Sequence, residues 1–343
     1  AYQSIQKRDD ALPYFYKARK QKPDDSRPYY QMGCILKDQG KWLEAIDCFK
    51  QTLELNPNSK WAYKYLIFLK QCLGESNIEW IREARNKWSN DPEFANLLFQ
   101  YLFTALDVSP ETKFQEHCQY GDSLLKDLGV PFSNYRNNRD SQRRLRLGYL
   151  SQDFYDQSAT FFLQTFFTHQ DKAQFEIYCY SDVQKPDETT DFFESLADQW
   201  FDIRSLSVYQ IAELIYQHQI DILIEQGAGP TGGRCFHVFA YKPAPIQISR
   251  YHNSTGLKTI DYRFTDKYLD PPEQDHLNVE TLMKVPHSIF CYTPPSDSPE
   301  VGSLPYLSNG YITFGSFNQL SKINQKVVIL WADILKHHSK TDS

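Results

Sequence analysis

The sequence predicts an α-helical superhelix followed by an α/β domain with a parallel, doubly wound sheet. A pattern of residues repeats near the N-terminus at a spacing of 34 residues, from Ala11 to Ala45. From residue 145 onward, short apolar runs alternate with segments of helical periodicity, which is typical of α/β domains. The 343 residues are 41% hydrophobic and 15% aromatic, so the chain has enough apolar surface for a large core, and disorder is excluded.

The charge and cysteine content exclude several classes of protein. A formal net charge of −6 argues against a nucleic-acid partner. No apolar stretch approaches the ~20 residues of a membrane span, and residues 1–10 lack the apolar core of a secretory signal. The seven scattered cysteines contain no C-x-x-C pair, so neither a disulfide framework nor a structural zinc site is expected. We expect a cytoplasmic protein without a structural zinc site.

The N-terminal repeat carries small and aromatic residues at helical spacing. Ala11, Phe15, Ala18 and Pro23 recur as Ala45, Phe49, Thr52 and Pro57, and Tyr29, Met32, Gly33 and Leu36 occupy the preceding helix of the second copy. This pattern matches the tetratricopeptide repeat. A more divergent third copy follows at Trp61–Leu73, so we assign residues 1–74 to repeats. Two interpretations stay open: a groove that binds a protein or peptide, or a short solenoid that only supports the next domain.

Residues 75–140 predict a helical linker or capping region. The periodicity indicates helices at Glu79–Trp88, Asp91–Ala105 and Pro110–Leu128. Asn90 and Ser109 are candidate N-caps, and the segment Gly129–Pro131 predicts the end of the last helix. We expect these helices to provide the cap that a short repeat array needs.

The following segment, residues 141–300, alternates strands and helices. The predicted strands are Leu145–Tyr149, Phe175–Tyr180, Trp200–Ile203, Ile220–Glu225, Ile246–Ile248 and Tyr262–Thr265, and the predicted helices are Ala159–Thr168, Glu188–Ala197 and Ser207–His218. A parallel sheet of this kind binds ligands at the carboxyl ends of its strands. The pattern restarts with a predicted strand at Tyr311–Gly315 and a helix at Gln325–Lys336.

Four polar segments follow predicted strands, and each has a catalytic and a plain interpretation. Asp153 and Asp156 are either acid/base groups or helix caps. The glycine-rich segment Gln226–Arg234 either cradles an anion or shapes a cleft, and it matches neither the phosphate-binding loop nor the dinucleotide fingerprint. His252 is either a base or a surface histidine. Lys322 either contacts a diphosphate or is simply solvated.

The order of motifs resembles the O-GlcNAc transferase/SPINDLY family of repeat-fused glycosyltransferases. The segments that carry the resemblance are Ser109–Thr112, Phe114–His117, Leu145–Phe154, Phe175–Ser181, Ile220–Ile224, Lys242–Gln247, Thr255–Gly256, Ile260–Asp266 and Phe314–Lys322. The resemblance implies a GT-B fold, in which two Rossmann-like lobes bind a UDP-sugar such as UDP-GlcNAc between them. It also implies inverting transfer to Ser or Thr of proteins without an obligatory metal. By the same resemblance, residues 306–343 begin the second lobe.

The resemblance also assigns candidate site residues. Lys322 is expected to contact the donor diphosphate and stabilise the leaving group, with Asn318 and Gln319 beside it. The cleft candidates of the first lobe are Asp153, Gln157, Gly229, Thr231 and His252.

The sequence departs from the family pattern at three places in the cleft. Gln157 stands where the family has a histidine, Pro230 replaces the histidine of a Gly-His-Thr motif, and Ser249–Asn253 shortens a family loop. With only the start of the second lobe present, we expect the chain alone to be inactive. Two hypotheses remain: part of a protein O-glycosyltransferase, or a non-catalytic scaffold that binds other proteins.

Overall fold

The computed structural model describes residues 11–75, 77–88, 92–105, 108–129, 131–140, 142–226, 228–295, 297–318, 322–323 and 325–338. Its helices are α1 (Leu12–Gln21), α2 (Ser26–Asp38), α3 (Trp42–Leu55), α4 (Lys60–Cys72), α5 (Ile78–Lys87), α6 (Pro92–Thr104), α7 (Pro110–Leu128), α8 (Thr160–Thr168), α9 (Glu188–Leu196), α10 (Val208–Gln217), α11 (Arg234–Ala240), α12 (Pro305–Asn309) and α13 (Gln325–His338). Its strands are β1 (Leu145–Ser151), β2 (Phe175–Ser181), β3 (Gln199–Asp202), β4 (Ile222–Glu225), β5 (Ile246–Ser249), β6 (Tyr262–Thr265) and β7 (Thr281–Lys284). Short 3₁₀ helices span Gly229–Gly232 and Pro272–Leu277. The chain forms two compact units, Ala1–Asp107 with Pro305–Ser343 and Val108–Leu304.

Helices α2 and α3 form the complete repeat that the sequence predicted. Gly33 leaves room for the ring of Phe49, because a Cβ on Gly33 would lie 2.7 Å from Cε1 of that ring. Ala45 and Phe49 are fully buried, and α3 ends at Leu55 before Pro57, which cannot continue a helix. The small residue at position 33 therefore permits the close helix packing of the repeat.

Helix α7 belongs to the second unit and begins and ends as predicted. The Oγ of Ser109 accepts a hydrogen bond from the backbone N–H of Thr112 at 3.2 Å, and Gly129 ends the helix with a φ of +88°. The helix packs on the rest of its unit through Tyr120, whose hydroxyl lies 2.9 Å from Nε2 of His237.

The seven strands among the described residues form one parallel sheet in the order β3-β2-β1-β4-β5-β6-β7. Leu147 of β1 pairs with Ile177 of β2 on one side and with Ile222 of β4 on the other. The chain thus runs outward from β1 in one direction and then returns to add β4 on the other side. The predicted doubly wound sheet is confirmed, and its switch point lies between β1 and β4.

The core between the sheet and its helices is aromatic. Phe154, Phe167 and Phe193 are almost fully buried, and the Phe167 and Phe193 rings meet edge to face with centroids 5.1 Å apart. Burying one such side chain contributes roughly 1.5–3 kcal/mol. Phe154 follows directly on the polar residues after β1, so this core fixes the start of that loop.

Helices α11 and α12 were not predicted from the sequence, and two further parts of the secondary structure differ from the prediction. Residues Tyr311–Gly315 are not a strand, because no described strand pairs with them, and an apolar run without a ladder partner has no reason to stay extended. Conversely, β7 was not predicted, since the run Thr281–Lys284 is short and its exposed edge position needs little apolar patterning. Within the described ranges, no helix is long and apolar enough to span a bilayer.

Candidate functional site

A narrow cleft lies at the carboxyl ends of β1 and β4, where the strand order changes direction. Parallel sheets of this kind present their binding residues at this edge, because adjacent loops there leave on opposite faces. The cleft is lined by Leu150, Ser151, Gln152, Asp153, Glu225, Gln226, Ala228, Gly232, Cys235, Phe236 and Phe239. The cleft therefore brings the polar segment after β1 against the glycine-rich segment after β4.

Asp153 provides the titratable carboxyl on the β1 side of the cleft. Its backbone N–H donates to Oγ of Ser151 at 3.0 Å, and Nε2 of Gln157 donates to its carbonyl oxygen at 3.4 Å. Burial raises the pKa of the Asp153 carboxyl above its usual value. Asp153 does not cap α8, whose N-cap is Ala159 without a side-chain bond. The plain interpretation of this residue is thus wrong, and Asp153 and Gln157 lie together as a pair.

The glycine-rich segment is folded tightly against Glu225. The carboxylate of Glu225 accepts the backbone N–H of Gly229 at 2.9 Å and the hydroxyl of Ser249 at 2.8 Å. Gly229 has a φ of +51°, and a Cβ there would lie 2.5 Å from the Tyr251 ring, so only glycine fits. Thr231 donates its hydroxyl and its backbone N–H to the carbonyl of Ala228 at 2.6 and 3.1 Å. These N–H groups are used inside the loop, so they form no anion cradle, and the segment lines the cleft through Ala228 and Gly232.

An ion pair that the sequence analysis missed ties together the loops around the cleft. Nε of Arg234, at the start of α11, donates to Oδ2 of Asp182 at 2.7 Å. The same guanidinium donates to the carbonyls of Leu206 at 2.7 Å and Ile203 at 3.1 Å. The carboxylate raises the pKa of Arg234. The sequence signal that could have indicated this pair is Asp182, an acidic residue directly after β2. Residues at the carboxyl ends of parallel strands are the ones that line binding sites.

Arg250 is a second unpredicted basic residue, directly after β5. Its guanidinium carbon lies 3.8 Å from the centroid of the Phe166 ring on α8, and its Nη1 donates to Oε1 of Gln226 at 3.3 Å. Burial lowers the pKa of Arg250, although an arginine stays charged in proteins. Arg250 thus contacts the cleft through Gln226, which lines it.

His252 lies in a different cavity of about 210 Å³. That cavity separates α7 from the loops after β5 and β6, and it shares no lining residue with the Asp153 cleft. His117 of α7 also lines it, and burial lowers the pKa of His117 to about 4. The structure therefore places His252 and Asp153 in different cavities, while Gly229 packs on the ring of Tyr251, the residue before His252.

The candidate donor residues lie in the other unit. Asn318 is exposed and bonds to Oγ of Ser316 through its backbone N–H at 3.5 Å. Lys322 is also exposed, with Nζ 5.7 Å from the centroid of the Phe103 ring. Gln319 lies outside the described residues. Among the residues that the structure describes, no group of three or more His, Cys, Asp or Glu side chains is arranged to hold a metal ion.

Comparison with known proteins gives two family matches. The model of glycosyl transferase family 41 matches residues 122–293, and the tetratricopeptide repeat model matches residues 26–59.

Curated relatives and a solved structure match much of the chain. The chain is 35% identical over 257 residues to the Arabidopsis thaliana protein named probable UDP-N-acetylglucosamine–peptide N-acetylglucosaminyltransferase SPINDLY, which covers 71% of this chain and 28% of the relative. It is 29% identical over 249 residues to the A. thaliana protein of the same description named SEC, with 68% and 25% covered. A mutant of the Thermobaculum terrenum O-GlcNAc transferase superposes with a TM-score of 0.77 at 25% identity, covering 97% of this chain and 65% of that one. The chain thus spans about a quarter of the length of these curated relatives.

Proposed function

The chain belongs to glycosyl transferase family 41, and from this membership we propose that it is part of a protein O-glycosyltransferase. The proposed reaction moves a sugar from a UDP-sugar to Ser or Thr hydroxyls of proteins. Two findings support the proposal: the names of the relatives, which describe peptide N-acetylglucosaminyltransferases, and the O-GlcNAc transferase structure with the same fold.

The observation that carries the proposal is the Asp153 carboxyl in the cleft at the switch point. Transfer to a hydroxyl needs a group that accepts the hydroxyl proton, and Gln157, which stands beside Asp153, cannot do so. Asp153 is the carboxyl on the β1 side of this cleft, and burial moves its pKa toward neutrality. A carboxylate with a raised pKa is a stronger base while it remains ionised.

In the proposed step, the acceptor oxygen forms a bond to the anomeric carbon of the sugar. The hydroxyl proton passes to a carboxylate oxygen of Asp153, and the bond between the sugar and the diphosphate breaks with its electron pair on the departing UDP. Lys322 supplies positive charge to that leaving group, as the resemblance implies, with Asn318 and Gln319 beside it. Charge placed where it develops in the transition state is a large contribution to such a reaction.

The donor, the acceptor and the compartment complete the proposal. UDP-GlcNAc is the proposed donor, in agreement with the names of the relatives, and no bound metal takes part. The repeat of α2 and α3 is the proposed contact for the acceptor protein, since tetratricopeptide arrays offer such a surface. The cytoplasm is the proposed compartment, because all seven cysteines are free, which is typical of a reducing environment.

The test is sugar transfer by the native protein, expressed from its own reading frame. The protein is incubated with UDP-GlcNAc and a Ser-containing peptide, and mass spectrometry measures the gain of one N-acetylhexosamine. Asp153→Asn should lower the rate by at least about a hundredfold, the usual contribution of a positioned base, while UDP affinity by calorimetry stays unchanged. Lys322→Ala should abolish UDP binding and transfer.

Lys326→Ala is the matched control for Lys322→Ala, because Lys326 is an exposed lysine in the same segment and should leave both measurements unchanged. Unchanged UDP affinity in Lys322→Ala would refute the proposed contact of Lys322 with the donor diphosphate. Full transfer by Asp153→Asn would remove Asp153 from the mechanism. A wild-type protein that binds peptide but never transfers a sugar would refute the proposed function.

A further inference from the structure

Arg250 and Gln226 present hydrogen-bond donors that the described chain does not use. Nη1 of Arg250 donates to Oε1 of Gln226, which turns the amide of Gln226 so that its nitrogen points elsewhere. That nitrogen, Nε2, is buried and has no hydrogen-bond partner among the residues that the structure describes. Gln226 lines the cleft after β4, so a donor without an acceptor lies at the binding edge of the sheet.

The charge of Arg250 also lacks a bonded carboxylate in the described chain. No ion pair within 4.0 Å joins Arg250 to a described acidic residue, in contrast to Arg234 and Arg263. The neighbouring Glu225 has its two carboxylate oxygens on the Gly229 N–H and the Ser249 hydroxyl. The Phe166 ring covers one face of the guanidinium, which leaves the in-plane N–H groups for another partner.

This arrangement has an energetic consequence. A buried donor without an acceptor destabilises the folded chain, and a half-buried cation gains most from a carboxylate or phosphate that matches its planar fork. Packing on Phe166 explains why the side chain is held in place, but a stacked ring accepts no hydrogen bond in the plane of the guanidinium. An oxygen-rich anion satisfies both Gln226 and Arg250.

We propose that Arg250 and Gln226 together bind a carboxylate group of the substrate and thereby set which substrates enter the cleft. The inference rests on the proposed function and deepens it, since the group belongs either to the acceptor peptide or to the donor. An acidic side chain beside the acceptor Ser is one source, and a charged group on the nucleotide sugar is the other.

The experiment measures dissociation constants of the native protein by calorimetry for two matched pairs of probes. The first pair is a Ser peptide flanked by Glu and the same peptide flanked by Gln. The second pair is UDP-glucuronic acid and UDP-GlcNAc. The wild type should bind the acidic member of one pair about tenfold more tightly, as a charged hydrogen bond predicts, and the pair that shows the preference identifies the source.

Three variants separate binding from folding. Arg250→Met should abolish the preference, and Arg250→Lys should keep only part of it because lysine lacks the planar fork. Gln226→Glu leaves Arg250 in place but supplies a carboxylate from the chain itself, so it should also abolish the preference. Arg144→Met is the control, since Arg144 precedes β1 at the opposite edge of the sheet and pairs with Asp198, and it should retain the wild-type preference.

Equal affinities within both pairs in the wild type would overturn the inference, as would a preference that survives in Arg250→Met and Gln226→Glu. If Arg250→Met does not fold, Gln226→Glu alone decides. Failure here is distinct from failure of the proposed function: sugar transfer to the neutral peptide without any acidic preference refutes only the inference, and an acidic preference without transfer refutes only the function.

Discussion

Removing the guanidinium of Arg234 should destabilise the α/β unit by separating the loops that follow β2 and β4. Arg234 joins Asp182, directly after β2, to α11, which follows the glycine-rich segment of the cleft. The variant Arg234→Met keeps most of the apolar stem and deletes the charge and the hydrogen bonds. The carboxylate of Asp182, which is 6% exposed, is then left without its cation.

The size of the effect follows from the burial of the two partners. Leaving one charge of a fully buried pair uncompensated costs about 3–5 kcal/mol. The Arg234 side chain is 31% exposed, so water compensates part of the loss, and we expect about 2 kcal/mol. In a double-mutant cycle with Asp182→Asn, most of this value should be recovered as coupling, since the double variant has no buried charge left.

The pair Arg204 and Asp202 supplies a matched control with the same chemistry. Its side chains are 40% and 52% exposed, and exposed pairs contribute about 0.2–1 kcal/mol. The cycle with Arg204→Met and Asp202→Asn should therefore give a coupling below about 1 kcal/mol.

The assay must follow the α/β unit alone, because the chain contains two compact units. Cys179 lies on β2 and is fully buried, so a pulse of thiol reagent labels it only when the sheet has unfolded. Labelling against urea concentration, read by peptide mass spectrometry, gives the free energy of unfolding of this unit. A coupling for Arg234 and Asp182 no larger than that for Arg204 and Asp202 would refute the reasoning.

Two further predictions concern the packing of α7. Burial lowers the pKa of His117 from 6.5 to about 4. Between these two pH values the unfolded chain binds a proton that the folded unit does not. The free energy of unfolding should therefore fall by about 3 kcal/mol for this group as the pH falls from about 6.5 to about 4. Urea titrations at several pH values give the free energy of unfolding as a function of pH. This dependence should be weaker for His117→Gln than for the control His169→Gln, and equal dependence in the two variants would contradict the lowered pKa of His117. Gly256→Ala places a Cβ 2.1 Å from the carbonyl oxygen of His117 at a φ of +71°, so calorimetry should show a loss of at least about 2 kcal/mol, whereas Gly302→Ala, with nothing within 4 Å, should melt like the wild type.

The sequence predicts those parts of the fold that depend on local pattern. The apolar runs of β1, β2 and β4 and the N-cap Ser109 are local signals, and the structure confirms them. The strand predicted at Tyr311–Gly315 failed because a strand depends on a partner that the run itself does not encode.

The site shows the same division between local and distant information. Asp153 was found because it directly follows a strand. The ion pair of Arg234 with Asp182 and the stacking of Arg250 on Phe166 join residues that are far apart in sequence. Such contacts form only after the strand order of the sheet is established, so no spacing of residues in the sequence predicts them.

The anchoring of α7 has a consequence for how such proteins recombine during evolution. The family match begins at residue 122, inside a helix that starts at Pro110. Tyr120 and Gly121, which contact His237 and Gly256, lie before that point. A gene fusion that joined a different repeat array at residue 122 would remove the turns of α7 that pack on the rest of its unit. A junction before Ser109 would exchange the repeat array and leave the α/β unit complete.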